Sequence, residues 1–548
     1  MSMEMRVLTH LDKVFLDEAP IEATCCFQGF ENEKIDFQLA FRESEDYRNE
    51  MQLTVRSPIA SHITARQVRQ VPVAFPMYAD AQEDCLRTQP GLYPDLLRDI
   101  QPHALHASRA WSSLWFRVDP KGEVNPGLYP VEITLSNAAF GISQTRCVQI
   151  EILPGKLPEQ TLIHTKWFHC DSIAQYYGVD VFSPRHWQLI ENQIICAVEN
   201  GINMILMPVH TPPLDTRQGG ERLTTQLVEI TVENGQYRFD MRHVRRWISM
   251  CKRCGVKYYE VAHLFTQWGA LHAPKIMARA DGQEKRIFGW ETDAAGAAYG
   301  DFLKAYIPAL RSVFEDEGIS ERVYWHISDE PSSAHLESYR KARHQVDALL
   351  QGCRIMDALS DYSFYEQGLV PMPIPANDAI EPFLQHQVPG LWTYYCCGQT
   401  NRVSNMFIAF PSYRNRILGV QLFKYRIEGF LQWGFNFYNC QYSDYAIDPY
   451  HTTDADGWVP AGDPFQVYPG KDGKPEESIR IAVTTQALQD LRAFNLLAQL
   501  TSHDFVTTLI DSEGGMPVTF ASYPHSNDYL LRLRLRVNET IVKQQQNR

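Results

Sequence analysis

Residues 322–335 read RVYWHISDEPSSAH, and two acids, Asp329 and Glu330, stand side by side where an apolar, aromatic run gives way to Pro331. Adjacent side chains on an extended chain point to opposite faces, so neighbouring carboxyls do not share a task by default. Two chemistries fit the pair. Acids at the start of a helix stabilise its positive end by about 0.3–1 kcal/mol each, and Pro331-Ser332 reads as a helix start. A carboxyl pair is also what acid–base catalysis uses, one group moving a proton and the other steadying positive charge as it develops. The two readings are compatible, and the pair is expected to open a helix in either case.

What positions the pair is a run of short apolar strands alternating with helical segments from residue 162 onward. Eight strands are expected, over 162–169, 204–209, 257–264, 323–329, 354–359, 372–378, 391–397 and 430–438. The segment SPRHWQLIENQIICAVENG has a Ser-Pro start and a Gly stop, and SAHLESYRKARHQVDALLQG also ends in Gly. LVEITVENGQYRFD reads as a hairpin turning at Asn234-Gly235. Eight strands with helices between them is the count of a (β/α)8 TIM barrel, which places the site at the C-terminal ends of the strands. A doubly wound open sheet is the alternative, but no glycine-rich phosphate loop follows the first strand.

Those strand ends bring Trp167, His169 and Asp171 from the first strand and His210 from the second. His263 comes from the third with Trp268 beyond it, and Trp325, Asp329 and Glu330 from the fourth. The seventh supplies Trp392, Tyr394 and Tyr395, and the eighth Trp433, Asn436 and Tyr438. Any one tryptophan there could be core. Together they make an aromatic-walled cleft with a few amide, imidazole and carboxyl groups, which suits a sugar ring, whose C–H faces stack on aromatics while its hydroxyls need fixed partners.

The first 155 residues have a different texture. KIDFQLAF, MQLTVRS, SLWFRVDP, YPVEITLS and RCVQIEIL alternate with period two between turn signals, which predicts an N-terminal β-sandwich over 1–155. LPGKLPEQT (153–161) breaks regular structure and marks the boundary. The barrel is then expected over 160–505, with a C-terminal extension over 506–548 that the sequence leaves without a structural assignment. The formal charge of −14 argues against nucleic acid or an anionic membrane as partner, and no apolar run is long enough to span a bilayer. The N-terminal residues lack the pattern of a signal peptide, and the 12 cysteines make a poor disulfide framework, so a cytoplasmic location is expected. Cys251 and Cys254 form a CxxC without a second pair, near the end of a helix, and are expected to be structural. Self-association into a homo-oligomer stays open.

Glycosidases commonly use two carboxyls across the scissile bond, and a protein nucleophile would sit about 5 Å from the acid. The seventh strand, LWTYYCCGQTN, offers none. A contiguous pair fits the exception in which the substrate's own 2-acetamido oxygen attacks the anomeric carbon. Glu330 would then be the acid/base, Asp329 would hold the acetamide N–H, and Tyr394 would orient the acetamide oxygen.

At this point HISDEP, LWTYYCCG, RILGVQLFKYRIEGFLQWGFNFYN and GDPFQVYPGKDGKPEESIR, in that order, resemble the glycoside hydrolase family 123 β-N-acetylgalactosaminidases and their wider relatives with the DUF4091 domain. The resemblance covers roughly residues 160–500. It implies a retaining exo-hydrolase that releases terminal β-linked GalNAc from oligosaccharides or glycoconjugates by substrate-assisted catalysis, with no metal or other cofactor. The family's Asp-Glu pair falls on Asp329 and Glu330, its W-x-Y on Trp392 and Tyr394, and its F-L-x-W-x-x-N on Trp433 and Asn436. No residue decides the sugar's C4 hydroxyl, so GlcNAc remains an alternative. Two rivals stand beside this reading. One is a metal-dependent barrel hydrolase using His164, His169 and Asp171 with His210 and His263, although an odd spacing puts His164 and His169 on opposite faces of a strand. The other is a carbohydrate-binding protein without catalysis. Asp463 and Tyr468 in GDPFQVYPG are candidates for the pocket edge, or for loop structure alone.

Overall fold

The computed structural model describes residues 3–44, 49–79 and 84–547. Its N-terminal part is a two-sheet sandwich. Strands Met3–Thr9, Ile35–Glu43, Ser112–Val118, Ile63–Val73 and Gly91–Asp99 lie in that order in one sheet. Cys26–Phe30, Ile142–Leu153, Gly127–Asn137 and Gln52–Arg56 form the other. Alternation decides what lies between them: Phe37, Leu39, Leu114 and Phe116 from the first sheet meet Val131, Ile133, Val148 and Ile150 from the second. The Pro/Gly-rich loop after Val118 carries the chain from one sheet to the other, so the two strands it joins are not hydrogen-bonded partners.

The rest is a parallel eight-stranded barrel. Its strands are β1 (Ile163–Lys166), β2 (Met204–Met207), β3 (Tyr258–Val261), β4 (Val323–Trp325), β5 (Arg354–Ala358), β6 (Met372–Ile374), β7 (Trp392–Tyr394) and β8 (Gly429–Gln432). All eight fall inside the expected segments or within a residue of them, and each is shorter. Seven pairings run in sequence order through the β1–β8 contact. The ring closes at a parallel bridge between Ala376 and Tyr394. Helices α1 (Pro184–Glu199), α2 (Arg242–Cys254), α3 (Ala297–Asp316), α4 (Leu336–Val346), α5 (Ser363–Glu366), α6 (Glu381–Gln385), α7 (Ser412–Lys424) and α8 (Ile479–Leu500) follow the strands in turn. Ser183 caps α1 through the His186 amide, as its Ser-Pro start predicts. Met204–Met207 is buried on both faces, as a strand must be between a barrel core and a helix layer.

The barrel floor shows how one residue choice makes room for another. Trp392 pairs with Gly429, and a Cβ on that glycine would lie 2.0 Å from the indole. Only glycine lets the ring lie across the bottom of the barrel, where it meets Tyr324 at 5.8 Å.

Two hairpins decorate the top between β2 and α3. One turns at Asn234-Gly235, both residues at positive φ, as expected; the other, Ile276–Ala280 with Gln283–Phe288, turns at Asp281-Gly282 in the same way. Together they form a four-stranded sheet. Residues past α8 form two further helices, α9 (His503–Gly514) and α10 (Asn527–Gln546). Their Val506, Ile510, Leu533 and Val537 pack into the same core as Leu491 and Leu497 of α8. Among the described residues no helix is long and apolar enough to cross a membrane. All twelve cysteines are free thiols, and Cys251 of the CxxC is buried in the core on α2.

Sandwich and barrel are joined by buried charge. Arg480, at the start of α8, holds sandwich residue Asp95 through two bonds of 2.9 Å, and Tyr468 donates to the same carboxyl at 2.6 Å. Arg66 and Arg117 of the sandwich grip Glu477 at 2.7 and 3.3 Å, while Asp36 accepts from Arg117 and from Gln486 of α8. Asp490 of α8 joins Arg416 of α7 to Arg534 of α10, which reaches Glu33 of the sandwich. Removing one partner from a buried pair leaves an uncompensated charge and costs about 3–5 kcal/mol. Asp95→Ala is therefore expected to lower the stability of the whole chain by that amount in urea unfolding, with sandwich and barrel losing structure together. A separate, unshifted barrel transition would show that the ion pairs do not couple the two parts.

Candidate active site

β4 ends at Trp325, and residues 326–330 run on to the barrel mouth, held by side chains and by main-chain bonds to the segment after β3. Asp357 of β5 does most of the holding. Its carboxyl accepts the backbone amides of Ile327 (2.9 Å) and Ser328 (3.4 Å), the Tyr339 hydroxyl of α4, and a hydrogen bond from His326 Nδ1 at 3.3 Å. Beyond these, the Asp329 carbonyl accepts from the Trp268 amide at 2.9 Å, and the Glu330 amide donates to the Ala358 carbonyl at 3.0 Å. The two acids are thus fixed at the main chain from both neighbouring strand ends.

They do not open a helix. A 3₁₀ turn (Ser333–His335) capped by Ser332 comes first, and α4 starts only at Leu336. The reason lies in the backbone: Glu330 has φ +43°, a left-handed conformation that cannot begin a right-handed helix and is costly for a residue with a long side chain. Asp215, Trp268, Ala270, Tyr442 and Ser443, on the loops after β2, β3 and β8, share the sign. Such strain concentrates at functional sites.

The Glu330 carboxyl accepts a 2.6 Å hydrogen bond from the Tyr394 hydroxyl at the end of β7. Burial raises the Glu330 pKa, the tyrosine opposes that, and Asp378 from the loop after β6 adds to it. Burial raises Asp329 much further, with Glu330 and Asp215 adding and His326 opposing. A buried carboxyl beside a half-buried one cannot readily ionise together with it, so the charge on each raises the other's cost of ionising. Burial of the Tyr394 hydroxyl keeps it protonated, and so a donor.

Trp433 extends from β8 one step above Leu431, the neighbour of Tyr394, and so stands at the mouth. Its indole N–H donates to Asp463 at 2.7 Å; burial pushes that carboxyl up to about 7. Phe437, Trp458 and Tyr442 continue the wall beside it, with rings 5.1–6.5 Å apart in succession. Trp268 sits edge-on to Tyr442 and is 39% exposed, extending the aromatic wall with a free edge.

Several expected residues lie elsewhere. Trp325 points outward from β4 onto Phe314 of α3, because its neighbour Tyr324 takes the inward position. Tyr395 also points outward, against Phe430. Trp392 is the barrel floor, one layer below Tyr394. Asn436 is fully buried, bridging the His169 amide and Gln193 of α1. Tyr438 packs among Phe465, Val71 and Val73 at the sandwich junction and donates to the Val467 carbonyl. His210 lies behind the site, hydrogen-bonded to the His263 carbonyl, and burial pushes it down to about 4. His263 is stacked on His326 with centroids 4.3 Å apart, beneath the acids. Tyr468 belongs to the Asp95–Arg480 joint.

The proposed metal ligands are likewise engaged: His164 with the Gly201 carbonyl, His169 with Arg222 and the Trp433 carbonyl, and Asp171 with Arg222. His263, His326 and Asp357 do offer ligand atoms within 4.8 Å of one another. The two imidazoles lie only 20° from parallel, so their in-plane lone pairs do not converge on one point, and Asp357 is taken up by the donors already named. Sequence reasoning did not single out Asp215, Tyr442 or Trp458, which come from long loops without strand periodicity and whose only signal was a position after β2 or β8. Asp378 was also passed over, although it closes the segment expected as the sixth strand.

A barrel mouth with a buried acid pair and aromatic walls is the site of a carbohydrate-active hydrolase. The chain matches the family model of the glycoside hydrolase 123 catalytic domain over residues 167–497, more than half its length, and it belongs to that glycoside hydrolase family. It is similar across 98% of both chains, with a TM-score of 0.76 and 15% identity, to a family 123 glycoside hydrolase from Clostridium perfringens, described for its hydrolysis of glycolipid glycans. At that identity the likeness speaks for the fold. A β-glucuronidase from Bacteroides uniformis (TM-score 0.30, 12% identity, 82% of this chain and 48% of that one) is too distant to inform the site. So is an endo-β-1,4-mannanase from Thermotoga petrophila (0.33, 11%, 62% and 78%). No curated protein matches the sequence.

The Tyr394–Glu330 bond sets a pH signature. Donation to the carboxylate favours its charged form, so Tyr394→Phe raises the Glu330 pKa. If Glu330 must be protonated to act as acid, the basic limb of kcat/KM moves to higher pH, by roughly one unit, while kcat falls. An unmoved basic limb would mean that Glu330 is not the acid.

Proposed function

We propose that the protein is a retaining exo-acting β-N-acetylhexosaminidase, with terminal β-linked GalNAc as its preferred sugar, working by substrate-assisted catalysis. One observation carries the reading: β7, which faces Glu330 across the site, offers a tyrosine hydroxyl 2.6 Å from the acid and no carboxyl. A nucleophile is therefore best sought in the substrate. Glu330 delivers its proton to the glycosidic oxygen as the C1–O bond breaks, and the acetamide carbonyl oxygen closes on C1 from the opposite face. Asp329 accepts the acetamide N–H and stabilises the positive charge of the oxazolinium-like ring. Glu330, now a carboxylate, removes a proton from water, which attacks C1 and reopens the ring with retained configuration.

The coupling between the two acids suits this sequence. In the free site Tyr394 draws negative charge toward Glu330. When the acetamide N–H donates to Asp329, Asp329 becomes the better carboxylate and the proton passes to Glu330, where it is needed. Trp433 is placed to stack on the bound sugar, and Trp268 to meet the group beyond the scissile bond. GalNAc over GlcNAc rests on the family resemblance, and the cytoplasm as the place of action rests on the free thiols.

Inhibition by a GalNAc-thiazoline, a mimic of the cyclised intermediate, tests mechanism and sugar together; it is expected to bind at least about 10²-fold more tightly than the product sugar. A GlcNAc-thiazoline binding better would change the sugar assignment. Labelling of Asp215 or Asp378 by a 2-fluoro glycoside would instead identify a protein nucleophile. Asp329→Asn is expected to cut turnover of 4-nitrophenyl β-GalNAc by roughly 10²–10³, the scale of a lost charge-stabilising group. The same variant should do much less to a 2-hydroxy analogue.

A further inference from the structure

Beneath the acid pair, inside the barrel, lies a cluster of ionisable groups that the roles above do not use. His326 precedes Asp329 by three residues and has no exposed surface. Asp357 Oδ1 lies 3.3 Å from its Nδ1, and Glu260 of β3 lies 3.9 Å from its Nε2. The ring is stacked on His263, and Trp167 of β1 stands edge-on to it at 6.1 Å. Glu260 has no hydrogen-bond donor among the described residues, and its nearest cation is His326. A carboxyl withdrawn from water to that degree can carry charge only with a counter-charge at hand. Asp357 also binds the amides of Ile327 and Ser328, so the residue that orients the imidazole fixes the peptide leading directly to Asp329.

We propose that His326, oriented by Asp357 and balanced by Glu260, is a positioning residue. From beneath Asp329 it biases the proton of the acid pair toward Glu330, favouring the ionised form of Asp329 against burial and the neighbouring carboxyls. The inference rests on the acid and acetamide roles proposed above. The groups facing the ring are Asp357 from β5, Glu260 and His263 from β3, Asp329 on its own segment and, through Asp357, Tyr339 from α4. His263 does not compete for the charge: burial, together with His326 and His210 nearby, drives its pKa well down. Burial alone would discharge His326 too, but the carboxyls of Asp357, hydrogen-bonded at Nδ1, and of Glu260, close to Nε2, outweigh that and push it up to about 9. Of the groups acting on Asp329, His326 favours its ionised form, while Glu330, Asp215 and Asp357 oppose it. Tyr394 pulls in the other sense, stabilising charge on Glu330. His326 and Tyr394 therefore set the balance of the pair from opposite sides.

The sign of the effect follows. An ionised Asp329 is required, so kcat/KM falls as pH drops through its pKa. Removing the imidazolium raises that pKa, so in His326→Gln the acidic limb moves to higher pH, by one unit or more. At neutral pH kcat falls at least about tenfold, the consequence of one unit, while KM changes less. Glu260→Gln, which keeps the imidazole but removes the partner that holds its charge, is expected to shift the same limb in the same direction by a smaller amount. It also keeps the experiment informative should His326→Gln not fold. Infrared difference spectra of the full-length protein without substrate give a readout separate from turnover. The protonated-carboxyl band that is lost on Asp329→Asn should titrate at higher pH in His326→Gln than in the wild type. Folded variants whose acidic limb and carboxyl band both stay at wild-type positions would overturn the proposal. A wild type that turns over no acetamido glycoside would instead overturn the substrate-assisted reading, and the infrared titration would still decide the role of His326.

Discussion

Two consecutive carboxyl groups withdrawn from water repel each other in a medium that screens them poorly, and the barrel mouth is built around that constraint. The main chain cannot relax it: Glu330 is held in the left-handed region, and both residues are tied by backbone hydrogen bonds to the ends of neighbouring strands. What remains is to distribute one proton. Tyr394 favours charge on Glu330 and the buried His326 favours it on Asp329, while Asp215 and Asp378 oppose it. A mouth of this sign is suited to a reaction that builds positive charge at a sugar carbon and repels anionic competitors.

The same economy of charge recurs away from the chemistry. Sandwich and barrel meet through Asp95, Asp36, Glu33 and Glu477, each matched to a buried arginine. Such pairs add little net stability over an apolar contact, but a slipped interface would strand them, so they fix one relative placement. The β8–α8 connection that carries Asp463 toward Trp433 also carries Tyr468 and Glu477 into this junction. The sandwich thereby braces the loop that forms one wall of the site.

Much of this was legible in the sequence where a local rule governs. Eight strands, the caps of α1 and the Asn234-Gly235 turn follow from periodicity and backbone preference. Asp329 and Glu330 followed from their place at a strand end. The helix expected at the pair failed because the left-handed turn at Glu330 is imposed by contacts to Ala358 and by the Asp329 bond to Trp268, none of which is local. The second hairpin was overlooked although its Asp281-Gly282 turn carried the same signal as the first.

Side-chain direction is where the sequence ran out. It determined that aromatic residues crowd the ends of β4, β7 and β8, but alternation gives only two faces and not which one is the pocket. Tertiary structure sent Trp325 and Tyr395 outward to the helices, Trp392 to the floor against Gly429, and Asn436 and Tyr438 into the packing behind the site. It also brought His326 and Asp357 from different strands, and Glu260 from a third, under Asp329. The sequence by itself determined the fold, the family and the place of Asp329 and Glu330 after a barrel strand, because these depend on patterns along one segment of chain. The proton balance of that pair depends on groups from several barrel strands meeting in a space without water, and only the closed barrel creates that space.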